Sequence, residues 1–334
     1  MFRTTVFMTG PNILEQAREG DWGMVGAKFI GGDWGTTHLR LFLCGYELNA
    51  LDQLEGPGAN RVCGAFEKAL DSLIRPWTDR HGDLPIVLSG MVGSSIGWVR
   101  TPYLPCPVEP EQIAGACIAL RGGRIHIVPG LSCRNALAAP DFMRGEETQL
   151  LGALHLEPML RHGRHLVCLP GTHAKWAILE DGRLQEFLTA PTGEVFASLR
   201  SQTTLVPTDA KTKSEVVPDA FSRGLGRIRQ SPQIQLLHKL FECRSLWLSE
   251  ELAPEEAASY LSGLLIGSDV SGALQLLVPS ATSPTVHVVG SSQLTRLYST
   301  ALAALDAEVR AIDGSAASVA GLARIDQLIG HTGN

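Results

Sequence analysis

Residues 28–43 read Lys28-Phe-Ile-Gly-Gly-Asp-Trp-Gly-Thr-Thr-His-Leu-Arg-Leu-Phe-Leu43. An apolar run ends at Asp33, a short turn of glycine and threonine follows, and a second strand begins after it. Glycine lets a phosphate approach the backbone, amide groups face its oxygens, and aspartate binds Mg²⁺ directly or through water. Gly35, Thr36 and Thr37 are therefore candidates for a phosphate-binding turn, although the same residues also suit an ordinary hairpin.

A second stretch repeats this pattern in the middle of the chain. It reads His165-Leu-Val-Cys-Leu-Pro-Gly-Thr-His-Ala-Lys-Trp-Ala-Ile-Leu179, so an apolar strand again meets a Gly-Thr turn and a second apolar strand. The turn Gly171-Thr172-His173 aligns with Gly35-Thr36-Thr37. Asp181-Gly182 marks a further hairpin turn. The sequence thus predicts an α/β protein whose halves each open with a three-stranded meander.

Three polar segments lie at the ends of other predicted elements. Ser89-Gly-Met-Val-Gly-Ser-Ser95 follows a short buried strand, where α/β sheets place their ligands, although a flexible connection is the alternative. Glu146 and Glu147 follow Gly145 in the first turn of a predicted helix, where ordinary capping also favours acids. A late strand ends in Gly290-Ser-Ser292, which opens another helix.

The totals describe a globular chain with enough residues for two domains. It has 334 residues, 44% of them hydrophobic and 19% charged, with a formal net charge of -6. No face rich in lysine or arginine stands out, which argues against nucleic-acid binding. No apolar run reaches the roughly 18 residues that a membrane helix needs. The oligomeric state is open, and a homodimer is compatible with the sequence.

The cysteines and the N-terminus are informative about the cellular compartment of the protein. Seven cysteines with irregular spacing and no Cys-x-x-Cys pair indicate reduced thiols in a cytoplasmic protein. Residues 1–27 lack a signal-peptide pattern and are predicted to be an extension outside the core, either disordered or a start-site artefact.

His38 and His173 have no partners at metal-ligand spacing, so a histidine-based metal site is not expected.

Five stretches in order make the chain resemble a known family. They are Asp33-Trp-Gly-Thr-Thr-His-Leu-Arg40, Ser89-Gly-Met-Val-Gly-Ser-Ser-Ile-Gly-Trp98, Met143-Arg-Gly-Glu-Glu-Thr-Gln-Leu150, Pro170-Gly-Thr-His-Ala-Lys-Trp176 and Ser262-Gly-Leu-Leu-Ile-Gly267. Together they resemble the sugar-kinase/Hsp70/actin superfamily and, within it, the 2-dehydro-3-deoxygalactonokinase family. The resemblance covers the chain from about residue 28 onward.

The resemblance implies two ribonuclease-H-like domains of the actin-like ATPase fold, residues 28–160 and 161–334, with the active-site cleft between them. It implies ATP and Mg²⁺ as cofactors, with Asp33 toward the metal. The catalytic base would open the helix before the second phosphate loop, which is Glu146, and the adjacent Glu147 leaves that choice open. The nucleotide-binding residues implied are Asp33, Gly35, Thr36, Thr37, Gly171, Thr172, His173, Gly290, Ser291 and Ser292.

The implied reaction phosphorylates the terminal hydroxyl of 2-dehydro-3-deoxy-D-galactonate, a step of galactonate catabolism. A cation should meet the substrate carboxylate, and Arg40, Arg144 and Lys175 are candidates, although long cations near turns are often surface residues. The expected substrate-binding residues are Ser89, Gly90, Met91, Val92, Gly93, Trp98, Arg144 and Lys175. Trp98 could equally be a core residue. A kinase for another sugar or sugar acid, and a non-catalytic ATP-binding regulator, are the alternatives.

Overall fold

The computed structural model describes residues 26–46, 49–207, 216–279 and 284–332. The predicted N-terminal extension lies outside the described residues as far as residue 25, and Ala27 already begins the first strand. No helix within the described ranges combines the length and the apolar character that crossing a membrane requires.

Strands and helices alternate along the chain. The strands are β1 (Ala27–Trp34), β2 (His38–Gly45), β3 (Ala50–Pro57), β4 (Ile86–Gly90), β5 (Tyr103–Pro105), β6 (Ile118–Leu120), β7 (Ile125–Ile127), β8 (Gly130–Arg134), β9 (Pro140–Met143), β10 (Arg164–Leu169), β11 (Ala174–Glu180), β12 (Arg183–Ala190), β13 (Thr285–Gly290) and β14 (Glu308–Asp313). The helices are α1 (Ala59–Val62), α2 (Phe66–His81), α3 (Pro110–Gly115), α4 (Glu146–Leu156), α5 (Thr192–Gln202), α6 (Pro218–Gln230), α7 (Leu236–Leu240), α8 (Glu242–Leu248), α9 (Ala257–Leu277), α10 (Ser292–Ala304) and α11 (Gly314–Thr332).

The two large sheets share one topology. The first has the order β3-β2-β1-β4-β7-β6 and the second the order β12-β11-β10-β13-β14. In both, an antiparallel meander of three strands is followed by a strand that runs parallel to the first strand of the meander. This is the ribonuclease-H-like arrangement, so the predicted fold class is confirmed.

Helices on both faces of the first sheet explain why the central strand β1 contains an apolar run before Asp33. Phe29 and Ile30 are both fully buried, yet they belong to different hydrophobic clusters on opposite faces of β1. On one face α2 contributes buried residues at helical spacing, including Phe66, Leu70 and Ile74. Burial on both faces replaces the alternating pattern of a half-exposed strand with a continuous apolar run.

The last helix joins the two halves of the chain. It follows β14 of the second sheet, but it packs against α4 and also contacts β1 of the first sheet. A small third sheet has the order β5-β8-β9, and β6 and β7 of the first sheet come between its strands β5 and β8 in the chain. The predicted boundary at residues 160 and 161 falls just before β10, and the assignment of whole domains to 28–160 and 161–334 stays a prediction.

Candidate active site

The first Gly-Thr turn connects β1 and β2 and is backed by the start of α1. The amide of Gly35 donates to the carbonyl of His38 across the turn, 2.9 Å away. Ala59 donates back to the carbonyl of Gly35. Position 58 requires glycine, because a Cβ there would lie only 2.4 Å from the Thr36 carbonyl oxygen. Thr36 and Thr37 themselves are exposed, so their side chains and amides can meet a ligand.

The second Gly-Thr turn is built in the same way between β10 and β11. Glu194 of α5 donates its amide to the carbonyl of Thr172, and a Cβ at Gly193 would lie 2.4 Å from the carbonyl oxygen of Gly171. His173 is exposed and its Nε2 lies 2.7 Å from Oε2 of Glu194. In both halves a glycine at the start of a helix, Gly58 before α1 and Gly193 in the first turn of α5, therefore packs against the turn, which supports the predicted internal correspondence.

Asp33 lies at the carboxyl end of β1, beside the first turn. Its Oδ2 accepts a hydrogen bond from Nη2 of Arg40, 2.5 Å away on the facing strand. The neighbouring strand ends at Gly90, whose φ of 88° favours glycine. A Cβ at Gly90 would lie 3.3 Å from Oδ1 of Asp33 and 2.8 Å from the carbonyl oxygen of Trp34. The glycine thus lets β4 end next to the aspartate.

A metal at this point would rely on few protein ligands. Within the ranges that the structure covers, no group of three histidine, cysteine, aspartate or glutamate side chains could hold a metal ion. A single carboxylate fits Mg²⁺ bound largely by nucleotide phosphates and water, which is the way proteins usually hold this ion. Asp33 is therefore compatible with the predicted metal role.

Glu146 is the first residue of α4 and lies near both halves of the site. Gly145 precedes it with a φ of 109°, and a Cβ there would lie 3.5 Å from Cα of Gly90. Oε2 of Glu146 accepts a hydrogen bond from the Arg144 amide, 3.1 Å away. Burial raises the pKa of this carboxyl, the Lys175 ammonium opposes the rise, and the Asp33 carboxylate adds to it. Glu146 thus interacts electrostatically with groups beside each Gly-Thr turn.

Glu147 has different surroundings. Only 1% of it is exposed, and both carboxyl oxygens accept from the amide of Gly145, at 2.9 and 2.7 Å. It adjoins an apolar space lined by Ile113, Leu150 and Leu184 among others. Burial raises its pKa to about 8, and the neighbouring Glu146 contributes. A neutral, enclosed carboxyl of this kind suits an internal structural role.

The predicted acceptor-binding loop continues from the end of β4. Ser89 is buried and its hydroxyl donates to the carbonyl of Gly32, 3.4 Å away. Residues Met91–Gly93 form a 3₁₀ turn, and the amide of Trp98 donates to the carbonyl of Val92. Trp98 is half-buried against the core of the first sheet. The loop is thus an ordered structure, and a flexible connection is not what the chain forms here.

The predicted nucleotide-binding residues Gly290, Ser291 and Ser292 border the second half of the site. Gly290 ends β13, and a Cβ there would lie 3.4 Å from Cδ of Pro170, the residue before the second Gly-Thr turn. Ser291 precedes α10, which begins at Ser292. A cavity of about 310 Å³ includes Gly171 of the second turn in its lining, together with Thr192, Gly193, Phe196, Arg200, Val216, Ala258, Ser259, Ser262, Leu265, Ile266, Gln293, Leu294, Leu297 and Tyr298. A mostly apolar cavity beside a phosphate-type turn is a reasonable place for a nucleoside.

Sequence reasoning missed an acid that accepts hydrogen bonds from two of the residues that line this cavity. Asp269 of α9 accepts hydrogen bonds from Nε1 of Trp176, the hydroxyl of Thr192 and the hydroxyl of Tyr298, at 2.7–2.8 Å. Burial raises its pKa, and these hydrogen bonds oppose the rise. Its position two residues after the Ser262–Gly267 motif was the available signal. The contact with Trp176 also shows that this tryptophan belongs to the core.

Two ribonuclease-H-like sheets with matching Gly-Thr turns and an acid between them define a sugar kinase of the actin-like ATPase class. Comparison with known families identifies the particular family within this class. The chain belongs to the 2-keto-3-deoxy-galactonokinase family, whose model matches residues 33–325. The resemblance identified from the sequence is therefore confirmed.

Individual relatives agree with this family. A 2-dehydro-3-deoxygalactonokinase of Escherichia coli K12 is 33% identical over 306 residues, which cover 91% of this chain and 99% of that protein. A protein of Rhizobium meliloti 1021, named a probable 2-dehydro-3-deoxygalactonokinase, is 37% identical over 296 residues, 87% of this chain and 94% of the relative. A crystal structure from Sinorhizobium meliloti, of a protein named for the same activity, has a TM-score of 0.81 at 35% identity and covers 90% of this chain and 99% of that one.

Proposed function

We propose that this chain is an ATP-dependent kinase that phosphorylates the terminal hydroxyl of 2-dehydro-3-deoxy-D-galactonate to give 2-dehydro-3-deoxy-6-phospho-D-galactonate, in galactonate catabolism. The names of the relatives in Escherichia coli and Rhizobium meliloti support this substrate. The observation that carries the proposal is the position of Glu146 at the start of α4, where a Cβ at the preceding Gly145 would lie 3.5 Å from Cα of Gly90, which lies beside Asp33. The pKa of its carboxyl also responds to Asp33 at the first Gly-Thr turn and to Lys175 just after the second.

ATP binds with its phosphates between the two turns. Phosphoryl transfer depends mainly on positioning and on neutralising charge, and exposed backbone amides at both turns suit that task. Gly35, Thr36 and Thr37 contact the phosphates from one side, and Gly171, Thr172 and His173 from the other. The nucleoside enters the cavity beside Gly171, next to Gly290, Ser291 and Ser292. Asp33 would hold Mg²⁺ together with the phosphates, and the ion would supply positive charge that offsets the charge on the transferred group.

Glu146 acts as the general base. One of its oxygens is held by the amide of Arg144, which leaves the other to accept the proton of the attacking hydroxyl. A base of this kind typically contributes about 10²–10⁴-fold to the rate. The raised pKa brings the carboxyl closer to the working pH, where a base is most effective. Glu147, enclosed and bonded to Gly145, is the less suitable candidate.

The acceptor binds at the end of β4. The residues Ser89, Gly90, Met91, Val92 and Gly93, together with Trp98, form the wall of its site. Arg144 lies two residues before the base in the sequence, and the Lys175 ammonium opposes the rise that burial causes in the pKa of the base. We place the reaction in the cytoplasm, in keeping with the free thiol state of all seven cysteines, and a homodimeric state stays a prediction.

The test is a coupled assay of ADP release from the purified chain. Acceptors are 2-dehydro-3-deoxy-D-galactonate, its stereoisomer 2-dehydro-3-deoxy-D-gluconate, D-galactonate and D-galactose. We expect the first to give the highest kcat/KM and a product phosphorylated at O6 by NMR. A higher kcat/KM for another acceptor would show that the proposed substrate is wrong. ATP binding without acceptor-dependent ADP release from any sugar or acid would instead indicate a regulator.

A further inference from the structure

Arg144 lies two residues before the base, and its guanidinium forms no ion pair with any acid in the described part of the chain. Its Nη1 donates to the hydroxyl of Thr101, its Nη2 to the Thr101 carbonyl at 3.3 Å, and its Nε to the hydroxyl of Tyr103 at 3.4 Å. These partners are all neutral. Across the described ranges, no carboxylate forms an ion pair with this guanidinium.

The neutral partners hold the guanidinium in a fixed place. Thr101 is 2% exposed, and its own hydroxyl donates to the carbonyl oxygens of Gly93 and Val128. The guanidinium carbon lies 4.4 Å from the centre of the Tyr103 ring, a distance that allows a cation–π interaction. A Cβ at Gly93 would lie 2.7 Å from Nη1. The cation is thus seated against the last glycine of the predicted acceptor loop.

The guanidinium keeps hydrogen-bonding capacity in this position. Arginine has five N–H donors, and three are used by Thr101 and Tyr103. The two that remain are on the two terminal nitrogens, one on each. The side chain is half-buried and not enclosed. A partly desolvated cation with free donors is a strong receptor for a carboxylate.

The other two candidate cations are already engaged. Arg40 forms an ion pair with Asp33 at 2.5 Å on the phosphate side of the site. Lys175 is only 4% exposed, and its Nζ donates to the carbonyl of Phe142 and to the hydroxyl of Thr189, both at 2.7 Å. Lys175 therefore acts on the charge of Glu146 from the interior, whereas Arg144 is half-buried and forms no ion pair with a described acid.

We propose that Arg144, positioned by Thr101 and Tyr103, binds the carboxylate of the acceptor and makes the enzyme select sugar acids over neutral analogues. The inference rests on the proposed kinase function. The acceptor carries its carboxylate and its reacting hydroxyl at opposite ends of the carbon chain. A cation at one end of the loop and a base at the start of α4 match these two groups. Thr101 and Tyr103 are positioning residues in this scheme.

The experiment compares 2-dehydro-3-deoxy-D-galactonate with its C1 carboxamide in wild type and in Arg144→Met. Losing one partner of a desolvated charge pair should lower kcat/KM for the acid by about 100-fold. We expect a smaller change for the amide, so that the acid-to-amide preference of the wild type collapses. The effect should fall mainly on KM, because Glu146 is retained. Arg134→Met is the matched control, since Arg134 is an exposed arginine of the same small sheet.

Two further variants keep the test decisive. Arg144→Lys keeps the charge without the planar fork and should leave an intermediate preference, which supports the proposal even if Arg144→Met does not fold. Tyr103→Phe keeps the ring but removes the hydroxyl contact, and should raise KM for the acid about fivefold. An unchanged acid-to-amide ratio in folded, active Arg144 variants would overturn the proposal, as would its collapse in Lys175→Met alone. If the wild type releases no ADP with any acid, the kinase function itself fails.

Discussion

Gly321 of α11 lies directly against the carbonyl of Thr148 in α4: a Cβ at position 321 would be 1.8 Å from that oxygen. The contact is reciprocal, because a Cβ at Gly152 of α4 would be 1.8 Å from the carbonyl oxygen of Ala317 in α11. The two helices therefore cross with their backbones in contact. Since α4 begins with Glu146, this crossing sets the position of the proposed base relative to the second sheet.

The crossing of α4 and α11 predicts that one added methyl group at their contact lowers the free energy of unfolding substantially. Gly321→Ala should lower the free energy of unfolding by about 1–3 kcal/mol, because the methyl group meets backbone atoms and cannot be accommodated by a side-chain movement. Urea denaturation measures the change. Gly330→Ala is the matched control in the same helix, where nothing lies within 4 Å, and its stability should be equal to or slightly above wild type. Equal stability of the two variants would contradict the crossing.

The two adjacent glutamates should differ in their kinetic effect. Glu146→Gln removes the proposed proton acceptor with little change in size, so kcat should fall about 10²–10⁴-fold. Binding of ATP, measured by calorimetry, should be retained. Glu147→Gln should keep most of the activity, because Glu147 is enclosed away from Asp33 and Lys175. A larger loss in Glu147→Gln than in Glu146→Gln would reassign the base.

Glu147 also predicts how stability depends on pH. Its pKa in the folded chain is about 8, above the usual value of 4.5. Between these two values the folded state holds a proton that the unfolded state has released, so stability falls as pH rises through this window. Glu147→Gln should flatten this slope and make the variant relatively more stable at pH 8 than at pH 5. If chemical denaturation gives parallel curves of stability against pH for the variant and the wild type, the Glu147 carboxyl is ionised in the folded chain.

Filling the cavity beside the second turn should weaken nucleotide binding. Leu297 lines this cavity and is half-buried, so Leu297→Trp should occupy space needed by the nucleoside. The dissociation constant for ATP should rise at least about tenfold, which corresponds to about 1.4 kcal/mol. Leu276→Trp serves as the control, because Leu276 is 44% exposed and does not line the cavity. Unchanged ATP affinity in Leu297→Trp would place the nucleoside elsewhere.

The recurrence of the fold in two halves could be recognised from the sequence because it depends on local chemistry. Apolar runs, the turns at Gly35 and Gly171 and the hairpin at Asp181 each follow from neighbouring residues. The five motifs were also sufficient to identify the family, and the acid at the start of α4 was predicted as a site residue. Other features of the site depend on residues that are distant in sequence, such as Asp269, which joins Trp176, Thr192 and Tyr298.

The sequence by itself determined that each half opens with a strand meander and a Gly-Thr turn, because strand periodicity and turn chemistry are encoded over a few residues. The ribonuclease-H-like fold and the pair of candidate bases followed from the resemblance of five motifs to a known family. Only the tertiary structure showed that Glu146 and Glu147 have different surroundings, and likewise Arg144 and Lys175, and the roles assigned to these residues stay proposals. The members of each pair are chemically alike, and what separates them is burial and hydrogen bonding imposed by other segments. Thr101 and Tyr103 around Arg144, and Phe142 and Thr189 around Lys175, come together only when the sheets have packed.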